Sequence, residues 1–323
     1  MQRTRIVTLL FAAAVLVPLT AAVPRALAVH ETRGDAPTAD SCATVSPGGE
    51  WHYVVAARIR PLLFWTGWKE VGDARIRRSE TDSTRHLELL IGTDPERAPL
   101  KLNRWGYVAE TACGPTTEIV GVMTVSDEET IEEATAYISQ GSNARHAFRA
   151  IRGNLAGGEA ATEVLRLGFT ENFTYRHLDV LLQRLPPPGT PRRATVLPGA
   201  HAGFLTAVSA VLQQEQADYQ RSGQLAPMPP QLFVFGGRLY DLSLKSAKVG
   251  PDVQLGGRTF RGPIENEFEV RNRTTQHTSR FRIACCAEQG LAAVPLRVVY
   301  QPRWWLQIEL RLRDAAGFHS SQP

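Results

Sequence analysis

The chain has 323 residues, 43% hydrophobic and 21% charged, with a formal net charge of +4. That apolar fraction suits a globular core and excludes a disordered chain. The positive charge does not indicate nucleic acid. Residues 1–28 carry Arg3, Arg5 and Arg25 and no acid, so the remainder holds 33 basic against 32 acidic side chains, a net of +1, where a nucleic-acid binder needs a concentrated basic surface.

The first element is a leader. Arg3 and Arg5 precede an apolar run from Ile6 to Val23, and Ala26-Leu27-Ala28 supplies small residues for a peptidase. This pattern predicts a secretory signal peptide over residues 1–28, cleaved after Ala28. Pro18 and the shortness of the run argue against a retained anchor, and no later segment approaches membrane-spanning length. The expected location is periplasmic or extracellular, in a bacterial envelope.

Export permits disulfides, and four cysteines allow three pairings. Cys42 and Cys113 flank the first β region, and a bridge there would add roughly 4 kcal/mol through loop closure. Cys285 and Cys286 are adjacent. Neighbours in a strand point to opposite faces, so a mutual bond would strain the backbone. They read as small buried residues or as members of separate bridges.

Residues 29–50 are small and polar and read as a flexible lead-in. A β-rich region with two short helices follows over 51–185. Trp51, Tyr53, Val55, Ala57 and Ile59 alternate onto one face. Leu62-Leu63-Phe64-Trp65 extends that strand, Thr66-Gly67 reads as a turn, and Trp68 to Arg77 returns. Further strands are expected over His86–Gly92, Leu100–Glu110 and Glu118–Val125. Trp65 and Trp68 at the hairpin tip are candidate ligand contacts, set against a hairpin folded onto the body of the protein.

Ser126-Asp127-Glu128-Glu129 predicts a capped helix to about Ser139. Its acids, Asp127, Glu128, Glu129, Glu132 and Glu133, read as a solvated face rather than a metal site, because no histidine or further carboxylate follows at ligand spacing. Phe148–Leu155 and Ala161–Phe169 read as a hairpin around Gly157-Gly158, and Thr174 caps a short helix to Leu185. Residues 186–199, PPPGTPRRATVLPG, form a proline-rich connector with no expected regular structure.

Residues 200–225 hold an amphipathic helix, expected over His201–Tyr219. Phe204, Leu205, Val208, Val211, Leu212 and Tyr219 form its apolar stripe, and Gln213, Gln214, Gln216 and Asp218 its polar face. The polar face lacks the basic residues of a lipid-surface helix, so packing on a sheet is expected. His201 opens the helix after a Pro/Gly loop and is a candidate site residue.

The C-terminal β region spans 226–313. Strands are expected over Gln231–Phe235, Arg238–Lys245, Glu265–Arg271, Thr278–Cys286, Val294–Tyr300 and Arg303–Arg313, with Gly236-Gly237 and Gly256-Gly257 as turns. In the last strand Trp304, Leu306, Ile308, Leu310 and Leu312 share the buried side. Trp305 falls among Gln307, Glu309, Arg311 and Arg313 and is a further candidate ligand contact. Residues 314–323 read as a tail.

No serine elbow, metalloprotease helix, phosphate loop or dinucleotide fingerprint is present. The stretches FVFGGRLYDLSL, ENEFEVRNRTTQHTSRFRI and VPLRVVYQPRWWLQIELRL resemble secreted bacterial β-proteins classed as domains of unknown function. The resemblance covers about the last ninety residues and implies a curved antiparallel sheet, with no activity attached.

These readings predict an α+β protein, mainly antiparallel β, with a curved sheet or half-barrel and a helical middle segment packed on it. The expected function is non-catalytic binding of a small apolar or amphipathic ligand, without cofactor or metal. The alternatives are a hydrolase assembled from distant residues, with His201 and His177 as candidates, and an envelope interaction module.

Overall fold

The structure is a computed structural model; it describes residues 49–60, 65–81, 83–124, 146–255, 258–286, 294–303 and 306–313. The predicted leader, the lead-in through residue 48, the acidic helix over 126–139, the Gly256-Gly257 turn, Trp304, Trp305 and the tail lie outside the described residues.

Sixteen strands are described. β1 (Gly49–Ile59), β2 (Thr66–Glu80), β3 (Thr84–Thr93), β4 (Trp105–Cys113), β5 (Thr116–Thr124), β6 (His146–Ala156) and β7 (Glu159–Phe169) form an antiparallel meander that ends at β8 (Arg192–Thr195). Helix α1 (Leu178–Gln183) precedes β8, and helix α2 (Phe204–Ser222) follows it. The chain then enters at the opposite edge through β9 (Gln231–Phe235) and β10 (Arg238–Val249). It returns by β13 (Ile264–Asn272), β14 (Thr278–Cys285), β15 (Pro295–Arg303) and β16 (Leu306–Leu312). A separate hairpin, β11 (Val253–Leu255) with β12 (Arg258–Phe260), interrupts this return.

The two halves join where β16 pairs with β1, giving one fourteen-stranded antiparallel sheet. Tyr53 faces Leu312, Val55 faces Leu310, Ala57 faces Ile308 and Ile59 faces Leu306. Because side chains alternate along a strand, this register puts the apolar sides of both strands on one face. All eight side chains are buried. Tyr53 adds a long-range tie, its hydroxyl donating to the Pro295 carbonyl at 2.7 Å.

That face carries α2. Ala207, Val208, Val211 and Leu212 pack with Val108, Ile119 and Ile151 from the first half of the chain. The same cluster holds Phe233, Tyr240, Phe268 and Ile283 from the second half. At the two ends of the strand order, Val234 of β9 packs with Ala160 of β7 and with Val196 just past β8. No ladder joins β8 to β9, so the sheet is not closed. The opposite face is covered over β3–β6 by Phe173, Tyr175, Leu178 and Leu181, which pack on Leu90, Tyr107, Val122 and Phe148.

Buried ion pairs occupy the rest of that opposite face. Glu309, 1% exposed, is held by Arg297 at 2.5 Å and Arg311 at 2.8 Å. Glu88 is held by Arg75 at 2.5 Å and Arg77 at 3.5 Å. Although burial works against ionisation, both carboxyls are held below their usual range, Glu88 by the His86 ring and then its arginines, Glu309 by its arginines.

Several boundaries differ from the sequence reading, each for a local reason. The proline-rich connector contains β8, because the proline-free run Arg192–Thr195 pairs with Thr162–Glu159 as an edge strand. Thr66-Gly67 is not a turn; both residues already belong to β2, opposite Ile59 and Arg58. The strand expected from Leu100 begins at Trp105, after a 3₁₀ turn over Pro99–Lys101. The short helix begins as a 3₁₀ turn over Tyr175–His177 and ends at Gln183. Helix α2 starts at Phe204 because His201 is drawn into a bridge beside Phe233. Its inward stripe runs on through Glu215 and Gln216, both 4% exposed, so Gln216 is not on the polar face and Tyr219 is only half-buried.

The first turn of α2 is held by a strand. Glu110 of β4, 1% exposed, accepts hydrogen bonds from the Leu205 N–H (2.8 Å), the Thr206 N–H (2.7 Å) and the Thr206 hydroxyl (2.7 Å). These amides have no partner within the helix, and an anion at this end is favoured by the helix dipole. Burial nevertheless pushes the Glu110 carboxyl above its usual range, the helix hydrogen bonds offsetting part of that. Gly203 permits the approach, since a Cβ there would lie 2.2 Å from the Glu110 carboxyl carbon. Glu110→Ala is expected to lower the unfolding free energy by about 3–4 kcal/mol in urea denaturation, because buried N–H groups lose their acceptor; Gly203→Ala is expected to act in the same direction.

Candidate functional site

The space between α2 and the sheet is not filled. A cavity of about 190 Å³ lies there. Phe204, Leu205, Val208 and Leu212 line it from the helix, and Leu87, Leu89 and Ile91 from β3. Phe233, Phe281, Ile283 and Val298 line it from the second half of the chain. Period-two alternation in the strands and the i, i+1, i+4, i+8 spacing in the helix aim these groups at one interior.

The aromatic wall is rigid. The Phe204 ring meets those of Phe233 and Phe281, each at 5.7 Å, while Phe233 stacks on Tyr240 and Phe268 on Phe281, both at 5.0 Å. Such contacts add about 0.5–1.5 kcal/mol each beyond area burial. They keep the cavity from collapsing.

Beside Val164, which both lines the cavity and is 44% exposed, the space reaches solvent. An apolar cavity of about 150 Å³ stays dry and takes benzene. A space of about 190 Å³ is of the same order.

Arg77, Arg78, Glu88, Arg149, Ser209 and Ser279 are the charged and serine side chains of this lining. Near Trp51, the Arg78 guanidinium lies 2.7 Å from the Gln213 carboxamide and 2.8 Å from Glu80. The Trp51 indole N–H, buried on the cavity wall, has no hydrogen-bond partner.

A further polar group lies outside the lining, behind Leu212, Ile283 and Pro295. Glu215 lies one turn on from Leu212, Asn266 pairs in register with Ile283, and Cys285 pairs with Pro295. Burial pushes the Glu215 carboxyl up to about 7, and the Asn266 amide offsets part of that. Burial also raises the Cys285 thiol, with Glu215 and Cys286 adding to the effect. Gln216 donates to the Cys286 carbonyl at 3.3 Å.

The residues singled out in the sequence are placed elsewhere. Trp65 is 40% exposed, and Trp68 packs half-buried against the β1–β16 core; neither lines the cavity. His201 is used by the fold. Its N–H donates to the Leu232 carbonyl, its own carbonyl accepts from Val234, and its ring nitrogen lies 3.4 Å from the Gln231 side chain. His177 completes a capping box with Thr174 on the opposite face. Trp305 lies outside the described residues.

Of the cysteines, Cys285 and Cys286 are buried. Cys113 is disulfide-bonded, and Cys42 lies outside the described residues. Among the described residues, no three histidine, cysteine or acidic side chains gather as a metal site, and no helix is long and apolar enough to cross a membrane.

Sequence reading missed Glu215, Asn266 and Glu110. The first sits in a run of glutamines and the second alternates with acids in ENEFE, so each resembles a surface residue. The one available signal was phase: Glu215 falls three and four residues after Leu212 and Val211, on the helix side those two define.

Because the folded Glu215 carboxyl titrates near 7 and an unfolded one near 4.3, its favourable contribution is complete below about pH 4 and lost as pH rises through 7. Relative to Glu215→Gln, the natural protein is expected to lose about 3 kcal/mol of stability between pH 4.5 and 8, read by urea denaturation of both proteins across that range. No family model, curated protein or solved structure matches this chain.

Proposed function

We propose that the protein is an exported binding protein of the bacterial envelope, without catalytic activity of its own. In this reading the sheet curves as a half-barrel around α2 and holds one small apolar or amphipathic molecule between helix and strands. The observation that carries it is the apolar cavity of about 190 Å³, walled by paired aromatic rings and reaching solvent beside Val164. Buried space that persists against packing forces is itself costly, at about 24 cal/mol per Å³, and an occupant removes that cost. The curvature is supported by Val234 of β9 packing on Ala160 of β7 from the far end of the strand order.

Export is supported by the leader and by the bonded Cys113. Of the pairings open to it, the Cys42–Cys113 bridge offered by the sequence is the one we propose. Peptide mapping without reduction should recover Cys42 linked to Cys113. A Cys113 peptide recovered unlinked would remove this support.

The binding test uses N-phenyl-1-naphthylamine, a neutral apolar fluorophore. Fluorescence titration of solvent-extracted protein should give saturable binding at one site. Val164→Trp should weaken it at least fivefold with little change in melting temperature, since Val164 is exposed at the opening. Val249→Trp, equally exposed and away from the lining, should leave it unchanged. Absence of saturable binding to the natural protein would overturn the proposal.

A further inference from the structure

The mouth of the cavity carries a pair of like charges. Ile151 of β6 and Val164 of β7 face each other across the strands, and both line the cavity. Two residues along from them, Arg149 faces Arg166. Alternation puts all four side chains on the helix-bearing side of the sheet. Directly opposite side chains stand about 5 Å apart at Cβ, and like charges placed so are unfavourable. On its other side Arg149 faces Met123 of β5, a member of the apolar cluster around α2.

The two arginines differ in depth. Arg149 is 4% exposed and lines the cavity, whereas Arg166 is exposed and lies outside the lining. The pair therefore runs from the interior to solvent beside the exposed Val164. Of the other charges in the lining, Arg77 and Glu88 belong to the opposite face, where they pair at 3.5 Å. Arg78 lies 2.8 Å from the Glu80 carboxylate. Arg149 is the cation of the lining that stands at the mouth.

We infer that the ligand is an anionic amphipath, a carboxylate on a short apolar body, with its head group held at the mouth by Arg149 and by Arg166 beside it. The inference rests on the cavity reading and names the ligand class within it. A guanidinium presents five N–H donors in a planar fork, so each arginine can take a carboxylate oxygen in addition to any other acceptor it meets. An anion between the two offsets their mutual repulsion, and its charge-assisted hydrogen bonds are stronger than those to a neutral group. The apolar body then lies inward along Ile151 and Leu89, both in the lining. A hydroxyl head group would leave the repulsion in place, and an ammonium would add to it.

Displacement of bound N-phenyl-1-naphthylamine by octanoate, 1-octanol and octylamine, at pH 7, tests it. Octanoate should displace the probe at concentrations at least tenfold lower than either of the others. Arg149→Met keeps an unbranched side chain without the charge; it should still bind the probe but favour octanoate by less than twofold. Arg166→Met, at an exposed position where folding is not at stake, should cut the octanoate preference at least threefold. Arg78→Met, at the other end of the lining, should leave it unchanged. Equal displacement by all three compounds from the natural protein, a preference for octanol or octylamine, an undiminished octanoate preference in Arg166→Met, or its loss in Arg78→Met would each overturn the head-group inference while leaving the cavity reading intact. Failure of the probe to bind the natural protein would remove the cavity reading, and this inference with it.

Discussion

One carboxylate in a strand determines where the helix can lie. Helix α2 crosses an apolar interior, and its first turn presents N–H groups that water cannot reach there. Glu110 accepts from two of them and from the Thr206 hydroxyl. Without an acceptor in the sheet, the start of the helix would have to move outward to solvent. With it, Phe204 and Leu205 are fixed against Phe233 and Phe281, and the stripe that follows is placed to within a turn. The cavity is the space this anchoring leaves. A helix held at its end and propped on aromatic rings cannot sink to fill the gap between Leu89 and Val298.

The far half of the same helix carries the opposite situation. Glu110 is buried with its hydrogen bonds made; Glu215 is buried with one oxygen unpaired. The two carboxyls share a direction of pKa shift and a cause, desolvation. The paired acids Glu88 and Glu309 on the opposite face mark the contrast, since arginines meet them and lower their pKa. At Glu215 no cation does so, and the Asn266 amide offsets only part of the effect of burial.

Much of the architecture was legible before any coordinates. Strict alternation in WHYVVAARI and LQIELRL predicted the buried sides of β1 and β16, and the glycine pairs 157–158 and 236–237 marked hairpins whose glycines indeed adopt positive φ. The helix was legible from Val208, Val211 and Leu212. What local pattern cannot carry is the pairing of β1 with β16, some 250 positions apart, which merges two β regions into one sheet. Nor can it carry Glu110, which reads as an outward residue of an amphipathic strand and becomes an interior cap only when α2 arrives from 95 residues away. Trp65 and Trp68, singled out for bulk and position, do not line the cavity. The lining is built instead from leucine, isoleucine, valine and phenylalanine, which in sequence look like any core.

The topology explains why such a site forms at this place. The chain leaves the centre of the sheet at β1, runs outward to β8, crosses through α2 and works back inward to β16. The helix is therefore the α-helical connection between the two edges, 19 residues or about 28 Å long. The edges themselves meet directly, His201 bridging Phe233 ahead of the helix and Val234 packing on Ala160. Side chains from both halves must reach the same helix to bury its stripe, and where Phe233 and Phe281 meet Phe204 their rings hold the helix off the strands and leave the interior space open.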